Sequence, residues 1–218
     1  MALSSIVKAT LQSAVLGGIA NFLSQFFRSY RLDIRIYIDW VPVVQFVILS
    51  LITTPPNFMW QEYLEQTFPA TTPQVPPPKG KPSPAPRLNL RNTLLKALLD
   101  QTVAAALNTL LFALAMNSLA QAMTPLQSET ELLDLRLAGR SLDFLRSGGA
   151  FDAARVDWDK VVSQSVADFW PILTSGWSFW PLVSLVNFAL VKDVGTRNLV
   201  GGLAGVAWGM YMSGFAAR

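Results

Sequence analysis

Asp100 and Gln101 stand in an apolar run, 94–123, that also carries Asn108 and Asn117. A carboxylate at membrane depth is costly unless it is partnered, so it marks a functional position by default. It suits ion or proton binding, or a place at the mouth of an aqueous passage. The plainer alternative pairs it at the interface with Lys96, four residues earlier on the same helix. Gln101 and Asn108 are seven residues apart and fall within about 20° of each other on a helix. Asn117 lies about 180° from Asn108. One face is therefore available to line a passage and the other to bond a neighbour. Catalysis fits poorly. The chain has no histidine and no cysteine, which removes the commonest metal ligand, the commonest acid–base group and thiol chemistry. No nucleophile–base pair and no glycine-rich phosphate loop stands out. We expect no catalytic residue, metal site or cofactor. Asp152, Asp157 and Asp159 fall at helical spacings that splay them, as on a solvated face.

These residues need an apolar scaffold, and the composition supplies one. Of 218 residues, 51% are hydrophobic and only 14% charged, where soluble domains average about 25% charged. The apolar residues fall in blocks near the roughly 20 residues that cross a bilayer. The expected fold is all-α: a polytopic membrane helix bundle with four full spans plus one Trp/Pro-rich inserted or interfacial helix, in a single domain, 1–218. The net charge of +3 comes without a basic stripe, so nucleic acid is not an expected partner; the lipid bilayer is. The N-terminus lacks a basic region ahead of its apolar run, so it reads as a retained first helix and not as a signal peptide.

The first span, 6–27, carries Ser13, Gly17 and Asn21 at four-residue steps, a small-residue face for close helix contact with a hydrogen-bonding Asn21. The second, 40–60, has Pro42 in its first turn, Gln45 near its centre, and Trp40 and Trp60 as boundary anchors. Thr54-Pro55-Pro56 is expected to break or kink it. A proline-rich linker, 68–92, follows; its stretch 68–86 holds eight of the chain's 14 prolines and reads as an exposed spacer. The third span, 94–123, is longer than a bilayer requires, with Asp100 near the membrane edge. A polar loop region, 124–168, holds a predicted helix over 129–146, stopped at Ser147-Gly148-Gly149. A second predicted helix, 151–169, is amphipathic and suited to the membrane surface.

The last stretch is the most distinctive. Residues 169–191 carry Trp170, Trp177 and Trp180, two of them followed by proline, and either span or lie partly inserted. A charged break, 192–197, leads to a final span, 198–215, with Trp208 as a further interface anchor. There Gly201, Gly205, Gly209 and Ser213 form a ridge at every fourth residue, the pattern of a closely packed membrane helix.

Taken together, these residues resemble the 22-kDa peroxisomal membrane protein family. The resemblance rests on Phe169-Trp170-Pro171, Trp177, Trp180-Pro181, Asn187-Phe188, Val191, Arg197, Trp208 and Tyr211-Met212-Ser213, and on Asp100-Gln101 with Ala105 in the third span. It covers most of the chain outside the proline linker. The chain departs from the pattern at Lys192 and Ala106, which replace prolines, and at Arg197, one position late. In the second span, Thr54-Pro55-Pro56-Asn57-Phe58-Met59-Trp60-Gln61 keeps only a proline and the tryptophan, so a role for the family's histidine there does not carry over. The resemblance implies a four-helix membrane protein with pore activity for small metabolites, reported for some members. It implies the peroxisomal membrane, or alternatively the mitochondrial inner membrane.

Two functions follow as expectations. The first is a channel for small hydrophilic metabolites, lined by Asn21, Gln45, Gln101, Asn108 and Asn187, with Asp100 and Arg197 at its mouths. The second is a non-conducting structural or assembly protein that uses Gly17 and the glycine ridge for helix contact, with a second copy of the chain as one candidate partner.

Overall fold

The computed structural model describes residues 2–71, 88–123 and 141–215, with side chains from residue 5 to 210 within them. The helices are α1 (Ala2–Arg31), α2 (Trp40–Thr67), α3 (Leu90–Leu99), α4 (Ala105–Ala122), α5 (Ser141–Arg146), α6 (Trp158–Gly176), α7 (Trp180–Leu190) and α8 (Val194–Phe215). One wide turn of π-helix, Asp100–Ala104, joins α3 to α4 into a single rod. Among the described residues the rest is a 3-10 turn, Ala153–Arg155, short connections and one antiparallel bridge, Thr71 to Leu88.

Three helical rods are long and apolar enough to cross a membrane: Ser5–Arg31, Trp40–Thr67 and Leu90–Ala122. Their outer faces are apolar and open. On α1, Val7, Leu11, Val15 and Ile19 recur every fourth residue, all exposed; on the third rod, Leu90, Leu94, Leu98 and Leu107 are exposed too. A water-soluble domain does not leave such continuous apolar faces uncovered. Lipid is their partner, and the chain is a membrane protein. The expected fourth full span is not among these three. α8 has 22 residues, about 33 Å of helix.

α1 packs between α2 and α8. Gly17 and Gly18 make the first contact: a Cβ on Gly17 would meet Ser50 Oγ and, at 2.9 Å, the backbone oxygen of Phe46. Asn198 secures the second contact by donating to Ser13 Oγ at 3.0 Å. The close glycine on α8 is Gly202, whose Cβ would fall 2.7 Å from Leu16 Cδ1. The expected ridge divides instead of packing as one. Gly201 faces open space, Gly205 meets Trp180 at 3.8 Å, and Gly209 meets Ser24 at 3.5 Å. The side chain of Ser213 lies outside the described residues.

Several boundaries differ from expectation. α2 does not break at Pro55-Pro56 but runs on to Thr67. A proline removes one donor and crowds the carbonyl four residues back, while the flanking hydroxyls of Ser50 and Thr53 bond back to Phe46 and Leu49 carbonyls within the helix. α3 starts at Leu90, inside the stretch read as linker, because Asn89 caps it by accepting from Asn92 N. The linker's central residues, 72–87, lie outside the described residues, as does 124–140, most of the helix predicted over 129–146. The helix predicted over 151–169 begins instead at Trp158, capped by Asp157, and runs through Pro171 to Gly176. It packs along α4, burying Val161 and Ser165, rather than lying on the membrane by itself. Asn117 fixes that contact by donating to Ser165 Oγ and Asp168 Oδ2, each at 3.2 Å. Residues 169–191 are thus two helices, not one, parted by a turn at 177–179.

Candidate functional site

α2 and the third rod run antiparallel, and a stripe of polar residues on α2 faces polar residues on the rod. On α2 the stripe is Glu65, Gln61 and Asn57, each one turn from the next. Glu65 Oε2 accepts from Lys96 Nζ at 2.7 Å. One turn deeper, Gln61 Nε2 donates to Asp100 Oδ1 at 2.8 Å. Deeper still, Asn108 Nδ2 donates to Asn57 Oδ1 at 3.3 Å. The three layers span about 12 Å of helix, less than half of a bilayer's apolar thickness.

The wide turn makes this alignment. In an unbroken α-helix the eight residues from Asp100 to Asn108 would swing Asn108 about 80° past Asp100. A π-turn absorbs about one extra residue and returns the two to within about 20°. The phase predicted for Gln101 and Asn108 therefore belongs to Asp100 and Asn108. Gln101 donates its side-chain amide back to Asp100 Oδ2 at 3.1 Å, and its backbone carbonyl accepts from Trp177 Nε1 at 3.0 Å. Single π-turns recur at functional positions.

α7 and α8 close the site. Ser184 Oγ on α7 donates to Asp100 Oδ2 at 2.8 Å. One turn on, Asn187 and Phe188 are buried. Arg197, in the first turns of α8, is 2% exposed; Lys96 is fully buried. Arg197 Nη1 lies 2.6 Å from Glu65 Oε2, the same oxygen that Lys96 holds. Both cations lie over the Phe188 ring, at 5.1 and 5.2 Å from its centroid, a favourable placement for desolvated cations. Arg197 Nε donates to Val191 O at 2.7 Å, and Asn187 Nδ2 to Arg197 O at 3.3 Å. Asp193, at the head of α8, is held below the usual carboxylate range. The backbone N–H and the hydroxyl of Thr196 both donate to it, at 2.6 and 2.8 Å.

Lys96 is not the partner of Asp100; its ammonium goes across to Glu65. Asp100 stands eleven residues into a 33-residue rod. Amides and a hydroxyl, not a cation, surround its carboxylate, and Trp60 Nε1 is buried beside it without a directed hydrogen bond.

Of the residues expected to line a passage, Asp100, Gln101, Asn108, Asn187 and Arg197 gather here. Gln45 lies on the same seam but deeper, donating to Leu119 O at 3.2 Å. Asn21 is elsewhere: it accepts from Gln25, which also bonds the backbone of Asp39 in both directions. Below Asn57 and Asn108 the seam turns apolar, where Leu49, Leu119 and Met123 form a buried cluster. Glu65, Gln61, Asn57, Lys96 and Ser184 are site residues that the sequence reading missed. The four-residue spacing of 57, 61 and 65 was the signal for three of them.

The tryptophans divide by surroundings. Trp170 and Trp177 are exposed on the outer surface. Trp40 packs against Phe22 and Trp208 stacks on Phe179, with ring centroids 6.3 and 5.1 Å apart. Trp180 lies against Gly205.

Residues 153–213, which supply α6, α7 and most of α8, match the Mpv17 / PMP22 family. The chain is also similar to "PXMP2/4 family protein 3" of Dictyostelium discoideum, 41% identical over 51 residues. That stretch is 23% of this chain and 27% of the relative, so the chain spans about a quarter of the relative's length. No solved structure matches. The similarity to the Mpv17 / PMP22 family is carried by this C-terminal segment, with Trp170-Pro171, Trp180-Pro181, Asn187-Phe188 and Arg197.

Proposed function

We propose that the chain is a gated channel for small hydrophilic metabolites in the peroxisomal membrane, with the mitochondrial inner membrane as the alternative site. In this reading α8 makes the fourth crossing. One observation carries the proposal: polar groups from α2, the third rod, α7 and α8 converge in three layers along a single seam. Intramembrane polar groups that converge instead of scattering mark a solute or ion pathway. The Leu49–Leu119–Met123 layer closes the far end, and apolar constrictions gate by excluding water. The peroxisomal site is supported by the family and by the name of the Dictyostelium relative.

Purified protein in a planar bilayer tests this reading. We expect conductance steps, and more frequent opening when Leu119 is replaced by Ser. Silence across solutes and voltages, with Leu119→Ser as well, would overturn it.

A second reading, a non-conducting assembly protein, is favoured by the dry apolar layer and the close approach of α1 at Gly17 and Gly202. It predicts that silence, together with a copy number above one that depends on the α8 surface.

A further inference from the structure

Lys96 and Arg197 are both sealed from solvent and both converge on one oxygen of Glu65. The other oxygen of Glu65 accepts from Ala70 N at 3.0 Å. This layer therefore carries two cations against one carboxylate. Asp100, one turn away, is occupied by Gln61, Gln101 and Ser184. Asp193 lies within electrostatic reach of Arg197, but it is exposed and its carboxylate caps Thr196. The guanidinium is left incomplete. Nη2 has no hydrogen-bond partner among the described residues, and Nη1 touches Glu65 without a directed bond. A guanidinium edge is built to receive an oxyanion in a bidentate fork, and a buried cation with unmet donors is costly.

Approach is provided for as well. Glu65 keeps about a quarter of its side chain exposed (26%), so the layer opens at the end of α2.

We propose that Arg197, backed by Lys96, is a binding site for an oxyanion, a carboxylate or a phosphate group. The anion pairs with the unbonded Nη1 and Nη2 of the guanidinium by displacing Glu65, which competes with it for the same cations. The site stands whether or not the seam conducts. Its ligand comes either from a soluble metabolite or from an anionic lipid headgroup, since Glu65 lies near the end of a span.

The two signs of substitution provide the test. The full chain is reconstituted in nanodiscs of phosphatidylcholine alone and titrated with inorganic phosphate and with succinate by calorimetry. The thermal unfolding midpoint is read in the same discs and in discs containing phosphatidylglycerol. For a soluble ligand we expect saturable binding of at least one titrant, weakened at least tenfold by Arg197→Gln and tightened several-fold by Glu65→Gln. For a lipid ligand we expect phosphatidylglycerol to raise the midpoint of the wild type and of Glu65→Gln but not of Arg197→Gln. If Arg197→Gln fails to fold, Glu65→Gln and Arg197→Lys carry the test. Glu65→Gln that binds no more tightly than wild type in either arm, or neither phosphate, succinate nor phosphatidylglycerol acting at all, overturns the site.

Discussion

The two ends of the seam between α2 and the third rod differ in kind, although the same two helices build both. At one end the buried cations Lys96 and Arg197, the latter from α8, meet the part-exposed Glu65, followed inward by Asp100 with Gln61 and by Asn57 with Asn108. At the other, Leu49, Leu119 and Met123 pack without a polar side chain between them, apart from Gln45, which is spent on a backbone carbonyl. In lipid there is little hydrophobic drive to bring helices together, so packing and polar contacts must hold them. The apolar end can be explained by packing. The polar end cannot, because well-packed apolar residues would hold two helices as well and without desolvating charge. Its cost points to use.

Substitutions test that contrast, and the largest effect is expected at the charged end. Glu65→Ala removes the one carboxylate that both cations share and leaves two buried charges unpaired. We expect a loss of about 3 kcal/mol, at the low end for buried pairs because Glu65 is partly exposed. Thermal unfolding in detergent, compared with the double variant Glu65→Leu/Lys96→Leu, separates charge from packing; the double variant should recover only part of the loss, since Arg197 stays buried without its carboxylate.

Next is the packing that holds α1 against α2. Gly17→Ala pushes a methyl group onto the Phe46 backbone oxygen and should cost about 1–3 kcal/mol. Gly201→Ala meets nothing and should stay within about 0.5 kcal/mol of wild type. Equal effects at the two glycines would mean that α1 does not approach α2 as closely as described.

The smallest effect concerns the head of α8, which positions Arg197. Asp193→Ala removes the cap on Thr196 and should cost about 0.5–1 kcal/mol. The pH dependence has a definite sign. The folded-state pKa of Asp193 is lowered, so its contribution is present above the unfolded value near about 4 and fades as pH falls through the folded one. Asp193→Asn should keep most of the cap and lose that dependence, which acid titration of stability in the two proteins would show.

Much of this was legible in the sequence, and the limits are instructive. The apolar blocks announced α1, α2 and the third rod because a bilayer imposes a length on them. Asp100 and Asn108 declared themselves as polar residues in apolar surroundings. Glu65 and Lys96 did not, because each sits near the end of its span, where a charge is ordinary. Lys96 also had a plausible partner four residues away, in Asp100. Its actual partner is 31 residues distant, and only the antiparallel pairing of two helices brings it near. The wide turn at Asp100–Ala104 left no trace in composition, so the face of the third rod was assigned one residue out of phase. The glycine ridge was real as spacing but not as a surface, since Gly205 meets Trp180, Gly209 meets Ser24 and Gly201 meets nothing.

The contrast between the ends of the seam is read most directly by solvent access along it. The chain has no cysteine, so single cysteines at Gln61, Asn57, Leu49 and the outward-facing Leu94 can each be challenged with a charged, membrane-impermeant thiol reagent in sealed vesicles. A water-accessible polar path ending at an apolar layer predicts labelling at 61, slower labelling at 57, and none at 49 or 94. Labelling at 49 as fast as at 57, or none at either 61 or 57, would contradict it.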